Sequence, residues 1–223
     1  DKFRAILNKG GNIIHVAFSS ALSGSYNNVC MVVNELTEEY PDAKITVIDS
    51  LNVSLAESIL VIKANEMKAN GASYEEVVEK LEDMKNHLNV WFTVDDLFHL
   101  QRGGRVSKAV AVVGSALNLK PFLYITNEGG LSSAGTVRGR KKSLKTIVER
   151  MKASLGENPD YTLPVGIVHS ICLEDAQAVA DMIKEETQFT NIIINDISPS
   201  IGTHAGPGAI GILYYGDKKP AAK

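Results

Sequence analysis

The chain has 223 residues, of which 44% are hydrophobic and 22% charged, with a formal net charge of −3. That is room for one large soluble domain or two modest ones, and the near-neutral balance gives no basis for binding nucleic acid or an anionic membrane. No apolar run approaches the roughly 20 residues that cross a bilayer, and the two distant cysteines, Cys30 and Cys172, are predicted to be buried free thiols in a reducing cytosol.

The chain begins in a helical pattern (Phe3, Ile6, Leu7) with neither the basic nor the apolar region of a signal peptide. Ile13 to Phe18 is an apolar run that stops at Ser19-Ser20, and from Tyr26 a helical period takes over with Val29, Cys30, Val33 and Leu36. This predicts a buried strand, a tight Ser/Gly turn and a helix whose N-terminus favours an anion. The alternative is that Ser23 or Ser25 simply caps that helix. Ile45–Asp49 predicts a second buried strand, and Ser54 a cap for a helix carrying Leu55, Ile59, Leu60 and Met67. Ser73 caps another helix, with a stripe from Tyr74 through Leu81 to Leu88, and Val90–Val94 is expected as a third strand of the same sheet. Apolar strands alternating with helices indicate a parallel sheet covered on both faces, with ligands at the carboxyl ends of its strands.

From Asp95 the pattern changes. Asp95-Asp96 is expected to cap a short helix that Gly103-Gly104 stops, and Ser107 a second one reaching about Asn118. A strand at 120–126, a hairpin turn at Asn127–Gly130 and a returning strand to Val137 follow, then a helix with Leu144, Ile147, Val148, Met151 and Leu155 on one face. Strand 162–168, helix 174–187, strand 191–197, a Gly/Pro loop at 198–208 and a strand at 209–215 complete the chain. The predicted architecture is α/β with two domains: a parallel, Rossmann-like sheet in 1–94, an α+β domain with a mixed or antiparallel sheet in 95–216, and a disordered tail at 217–223.

Two stretches carry candidate chemistry. Ser19, Ser20 and Ser23-Gly24-Ser25 surround the break of the first strand, and Asp49 falls at the equivalent end of the second. The serines lack the spacing of a nucleophile elbow or a phosphate loop, so they suit holding a ligand oxygen better than attacking one. Ile201-Gly-Thr-His-Ala-Gly-Pro-Gly208 puts His204 in a glycine-rich segment where a ligand role competes with a merely exposed one. Basic clusters at Arg102–Arg105 with Lys108, and at Arg138–Lys142 with Lys145, read as solvated surface or as a seat for a phosphate or acidic partner. No cluster of His, Cys, Asp and Glu has metal spacing.

Five segments, in order, resemble the DegV family: Phe18-Ser-Ser-Ala-Leu-Ser-Gly-Ser-Tyr26; Val94-Asp-Asp-Leu with Leu100-Gln-Arg-Gly-Gly-Arg-Val-Ser107; Leu119-Lys-Pro; Val137-Arg-Gly-Arg-Lys-Lys; and Ile201-Gly-Thr-His-Ala-Gly-Pro-Gly-Ala209. The resemblance covers the chain to about residue 215. It implies a cytoplasmic bacterial protein that buries a long-chain fatty acid between two domains and is not itself an enzyme. Such a protein presents the carboxylate to a separate ATP-dependent kinase subunit, which makes acyl-phosphate for phospholipid synthesis. Carried over by motif, Ser20 is the first choice for the carboxylate contact, with Ser19, Ser23 and Gly24 in support and His204 completing the head-group site. Arg138 and Arg140 are candidates for the phosphoryl group or the kinase contact. No cofactor or metal is implied beyond the bound fatty acid.

The family pattern also includes an earlier strand with an Asp-Ser-Thr-like loop and a Thr-Ser-x-Pro segment, and neither is present here. The chain is therefore expected to be a fragment lacking the N-terminal part of the site. Two other readings stay open. One is a serine hydrolase using Ser20, His204 and Asp49; the other is a lipid-free regulatory interaction module.

Overall fold

The computed structural model describes residues 1–107, 118–157 and 159–222. The helix expected between Ser107 and Asn118, and Lys108 of the first basic cluster, lie outside the described residues.

Strands β1 (Ile13–Ala17) and β2 (Ile45–Asp49) pair in parallel, Ile13 opposite Ile45 and Ala17 opposite Asp49. They are joined by helix α2 (Ser25–Glu39), the right length of crossover for parallel neighbours. Helix α1 (Lys2–Leu7) precedes β1, and Leu7, Ile13 and Leu36 form a small core between them. Helices α3 (Leu55–Ala69) and α4 (Tyr74–Met84) follow β2. The start of α4 is fixed by a capping box: the Ser73 hydroxyl accepts the Glu76 N–H while the Glu76 carboxylate accepts the Ser73 N–H at 2.7 Å. Such an arrangement contributes about 1 kcal/mol.

The remaining strands form one six-stranded sheet. They are β3 (Leu88–Thr93), β4 (Leu119–Ile125), β5 (Leu131–Arg138), β6 (Val165–His169), β7 (Ile192–Asp196) and β8 (Ile210–Tyr215), in the order β5-β4-β3-β8-β6-β7. Only β6 and β7 pair in parallel, across helix α7 (Leu173–Glu186); the other pairings are antiparallel. The fold is therefore α/β, a small parallel two-stranded sheet beside a larger mixed one.

Two expectations about this region are corrected. The helical stripe expected to reach Leu88 ends at Met84, and Leu88 opens β3 opposite Tyr215. The strand expected beside β1 and β2 is instead antiparallel between β4 and β8, so the chain passes to the second sheet before Leu88 rather than near residue 94. An all-apolar run says that a strand is buried on both faces, and says nothing about its neighbours.

Period-two alternation divides the large sheet into two faces. Trp91, Phe122, Ile167, Ile212 and Tyr214 point to one side, where α6 (Arg140–Ala153) and α7 cover them with Ile147, Val148, Met151, Val179 and Ile183. Leu88, Val90, Ile125, Val168 and Leu213 point to the other, against Ile48 of β2, Ile59 and Leu60 of α3, and Val77 and Leu81 of α4. The α3–α4 layer is thus shared by both sheets.

The tail expected to be disordered is docked. Lys219 is 5% exposed and donates from Nζ to the Leu51 carbonyl at 2.7 Å, while the Pro220 and Ala221 carbonyls accept from the Asn127 N–H and the Tyr124 hydroxyl, each at 2.9 Å. Burial lowers the Lys219 ammonium pKa to about 8, with Asp49 opposing the shift. Cys30 and Cys172 are free thiols, half-buried rather than enclosed. No helix among the described residues is long and apolar enough to cross a membrane.

Candidate functional site

At the end of β1 the chain must turn while satisfying its backbone, and it does so against the loop after β2. The Ser19 N–H donates to the Asn52 carbonyl at 3.0 Å, and the Ser19 carbonyl accepts the N–H groups of Leu22 and Ser23. The Asp49 carboxylate accepts the N–H groups of Ser20 and Leu51, each at 3.1 Å. Ser19 is fully buried and donates its hydroxyl to the Gly129 carbonyl at 2.8 Å, which ties this turn to the hairpin between β4 and β5. Gly129 takes φ +80°, and a Cβ there would lie 2.3 Å from the Ser19 hydroxyl and 3.0 Å from the Leu51 Cα. Glycine is required at that position by both conformation and space.

Beside this junction lies a cavity of about 460 Å³, the size of a small-molecule site. The large sheet supplies one wall through Val90, Phe92, Ile125, Val168 and Leu213. The β1 turn supplies Phe18, Leu22 and Ser23; the start of α3 supplies Val53, Ser54 and Glu57. Helix α5 (Phe98–Arg102), the segment after it, and α8 (Pro199–Ala205) close it with Leu100, Arg105, Ile201 and His204. The lining is mainly hydrocarbon, with a few serines, one guanidinium, one imidazole and one carboxylate.

The segment expected to be a Gly/Pro loop is the short helix α8. Ser198 caps it by accepting the Ile201 N–H, Pro199 occupies its first turn, and Gly206 at φ +78° ends it. His204 is therefore presented from a helix, and it stands where a Cβ on Gly103 would fall 2.1 Å from Nδ1. The second glycine-rich motif, Arg102-Gly-Gly-Arg105, makes room for the histidine of the last one. Arg105 is held by donating from Nε and Nη2 to the Leu22 carbonyl at 3.2 and 3.1 Å.

Of the residues singled out from sequence, Ser23 and His204 line the cavity. Ser19 is buried, with its hydroxyl committed to the Gly129 carbonyl. Ser20 is half-buried in the same turn with its N–H fixed on Asp49, and no hydrogen bond of its hydroxyl is found among the described residues. Gly24 is the exposed N-cap of α2, with no side-chain cap; the Ser23 hydroxyl accepts the Ser25 N–H at 3.2 Å. Arg138 is exposed at the end of β5. Arg140 is engaged, donating to the Asp175 carboxylate at 2.8 Å with Asp95 at 3.8 Å, and that contact fixes the start of α6 against α7.

Sequence reasoning missed Arg105 and Glu57 as cavity residues. Arg105 sat in a basic cluster read as solvated surface or as a seat for a phosphate or acidic partner, and Glu57 lies between the apolar positions of α3 with no motif around it. Burial raises the Glu57 carboxyl pKa to about 7, partly opposed by the Ser54 N–H. No group of three or more His, Cys, Asp and Glu side chains among the described residues is arranged to hold a metal ion.

The fold and the site together define an α/β protein of two sheets enclosing an apolar cavity with a polar rim. The chain belongs to the DegV family: the family model described as "Uncharacterised protein, DegV family" matches residues 1–217. It is 40% identical over 219 residues to the DegV domain-containing protein CPE0026 of Clostridium perfringens, covering 98% of this chain and 75% of that relative. It is 36% identical to the DegV domain-containing protein YteA of Lactococcus lactis, covering 97% and 74%. Among solved structures it is similar to the Streptococcus pneumoniae Fatty Acid Kinase (Fak) B3 protein loaded with linoleic acid, with TM-score 0.85, 28% identity and coverage of 97% and 75%. It is likewise similar to the Thermotoga maritima protein TM841, whose structure revealed a fatty acid binding function, with TM-score 0.81, 28% identity and coverage of 96% and 73%.

Proposed function

We propose that this chain binds one long-chain fatty acid, with its tail in the apolar cavity and its carboxylate held by Ser23, Arg105 and His204 of the lining and by Ser20 of the adjoining turn. The observation that carries the reading is the cavity: a mainly hydrocarbon lining with a guanidinium and an imidazole on its wall matches an amphiphile with one anionic end. Each buried CH₂ contributes about 0.8 kcal/mol, so the tail provides most of the affinity and the rim orients the head. The fatty acids bound by the S. pneumoniae and T. maritima proteins, which share this fold, support the same assignment.

The finer part of the reading is that the bound carboxylate is offered to a separate ATP-dependent kinase subunit, with exposed Arg138 as a contact for that partner or for the transferred phosphoryl group. The kinase-system protein among the structural relatives supports it. Arg140 is a poorer candidate than Arg138, because its guanidinium already pairs with Asp175. A cytoplasmic location agrees with such a role. The serine-hydrolase alternative loses ground because the Asp49 carboxylate is taken up by the Ser20 and Leu51 N–H groups, and no hydrogen bond joins Ser20, Asp49 and His204 to one another among the described residues.

The test is mass spectrometry of denaturing extracts from purified protein, followed by titration with palmitic acid. Stoichiometric fatty acid, or saturable binding of the added one that weakens in Arg105→Ala and His204→Ala, is expected. A protein that carries none and binds none would overturn the proposal.

A further inference from the structure

Glu57 is an anomaly in the cavity wall. It is the third residue of α3, and it shares the cavity lining with Val53, Val90, Phe92 and Val168. A carboxylate beside hydrocarbon is unfavourable unless paired, and no ion pair or hydrogen bond of Glu57 with another side chain is found among the described residues. Its one support is the Ser54 N–H, from a residue held at φ +58° and ψ −131° at the cavity edge.

The titratable groups around it are committed elsewhere or stand across the cavity. Arg105 and His204 share the cavity, and Arg105 is bonded to the Leu22 carbonyl. Of the elements packed on α3, β3 carries no titratable side chain, and β1 brings His15, which packs edge-on against Phe3. Strand β6 brings His169, beside Asp196 at 3.4 Å, and β8 brings Tyr214 and Tyr215, engaged with Ser154 and His87. On α4, Tyr74 bonds Thr46, Lys80 pairs with Asp83 and Glu82 with Lys85, while Glu75, Glu76 and Glu79 are exposed. None of these charges is among the causes of the Glu57 shift, which is set by burial.

We propose that Glu57 is a protonation gate on acyl-chain occupancy: neutral, it belongs to the apolar wall, and ionised, it opposes a hydrocarbon tail. This rests on the fatty-acid reading of the cavity and adds a regulatory residue to it. A tail filling the cavity expels water from around Glu57 and penalises its charged form further, so binding takes up a proton. The sign follows: affinity is full while Glu57 is neutral in the empty protein, and falls as pH rises through about 7. The limiting slope is tenfold per pH unit.

The experiment measures the palmitic acid dissociation constant of the wild type, Glu57→Gln and Glu57→Leu from pH 6 to 8.5, with isothermal titration in buffers of different ionisation enthalpy to count protons. The ligand's own carboxyl titrates in all three proteins, so the wild-type to variant ratio isolates Glu57. The ratio is expected to climb about tenfold across this range, with less proton uptake in both variants. A ratio that stays constant with pH while all three proteins bind would overturn the gate and leave the fatty-acid reading intact. Absence of binding by the wild type at every pH would overturn both.

Discussion

Gly129→Ala is the perturbation that tests most directly whether the two sheets are tied through the serine turn. At φ +80° an alanine is strained by about 1–2 kcal/mol. Its Cβ would sit 2.3 Å from the Ser19 hydroxyl and 3.0 Å from the Leu51 Cα, so the hydroxyl must leave its 2.8 Å bond to the Gly129 carbonyl. Ser19 is fully buried, and a buried polar group left without its partner costs about 1–3 kcal/mol. The sum is about 2–5 kcal/mol, read as a lowered midpoint of urea unfolding with little change in slope. Ser19→Ala alone costs about 1–3 kcal/mol for the lost bond and opens space for the new methyl. In that background Gly129→Ala should cost only its backbone strain, about 1–2 kcal/mol. Equal costs in both backgrounds, or a loss under 1 kcal/mol in the wild type, would refute the reasoning.

Three further outcomes follow from the same contacts. Lys219→Ala removes the donor to the Leu51 carbonyl and should lower stability by about 1–2 kcal/mol in thermal melts; an unchanged midpoint on truncation after Gly216 would show that the docked tail contributes nothing. Gly103→Ala places a methyl on the His204 ring position and should weaken palmitic acid binding about as much as His204→Ala while leaving far-UV circular dichroism unchanged, whereas wild-type affinity would detach His204 from the site. Glu57, raised from 4.5 to about 7, holds more protons folded than unfolded, so its contribution to stability is complete below pH 4.5 and lost as pH rises through 7. Glu57→Gln should therefore gain on the wild type by about 2–3 kcal/mol between pH 4.5 and 8, after allowing for partial solvent screening, and parallel stability curves would contradict the buried assignment.

The regular elements were legible because their signals are local. The apolar run Val90–Phe92 and the helix cap at Ser73 are written in adjacent residues. Strand order was not, since β3 joins β8 through residues more than a hundred positions away, and an apolar hexapeptide fits any buried slot in a sheet. The α8 error was avoidable. Ser198-Pro199 is a helix-start signal, and the glycines that followed it outweighed it although Gly206 only terminates the helix. The tail misled through composition: three lysines in its seven residues suggest solvent, yet one of them folds back onto a carbonyl.

The site was legible where chemistry clusters in a motif and opaque where it depends on convergence. The serine turn and His204 stand in recognisable segments. The cavity wall is assembled from alternate residues of five strands and loops on one side and helix ends on the other, and no segment carries its signature. That difference also bears on function. A hydrolase concentrates its machinery in one hydrogen-bonded chain of nucleophile, base and acid, whereas here each polar group is anchored separately: Asp49 on backbone N–H groups, Arg105 on a carbonyl, Ser19 on the opposite hairpin. Side chains fixed in this way suit the proposed role of holding a rim in shape around a carboxylate better than that of passing a proton along it. On the proposed reading the free energy of occupancy comes from the hydrocarbon wall, and a carboxyl set in that wall, that of Glu57, has leverage over whether the cavity is filled. Glu57, on which no sequence motif drew attention, is for that reason a better point of control than any serine of the turn.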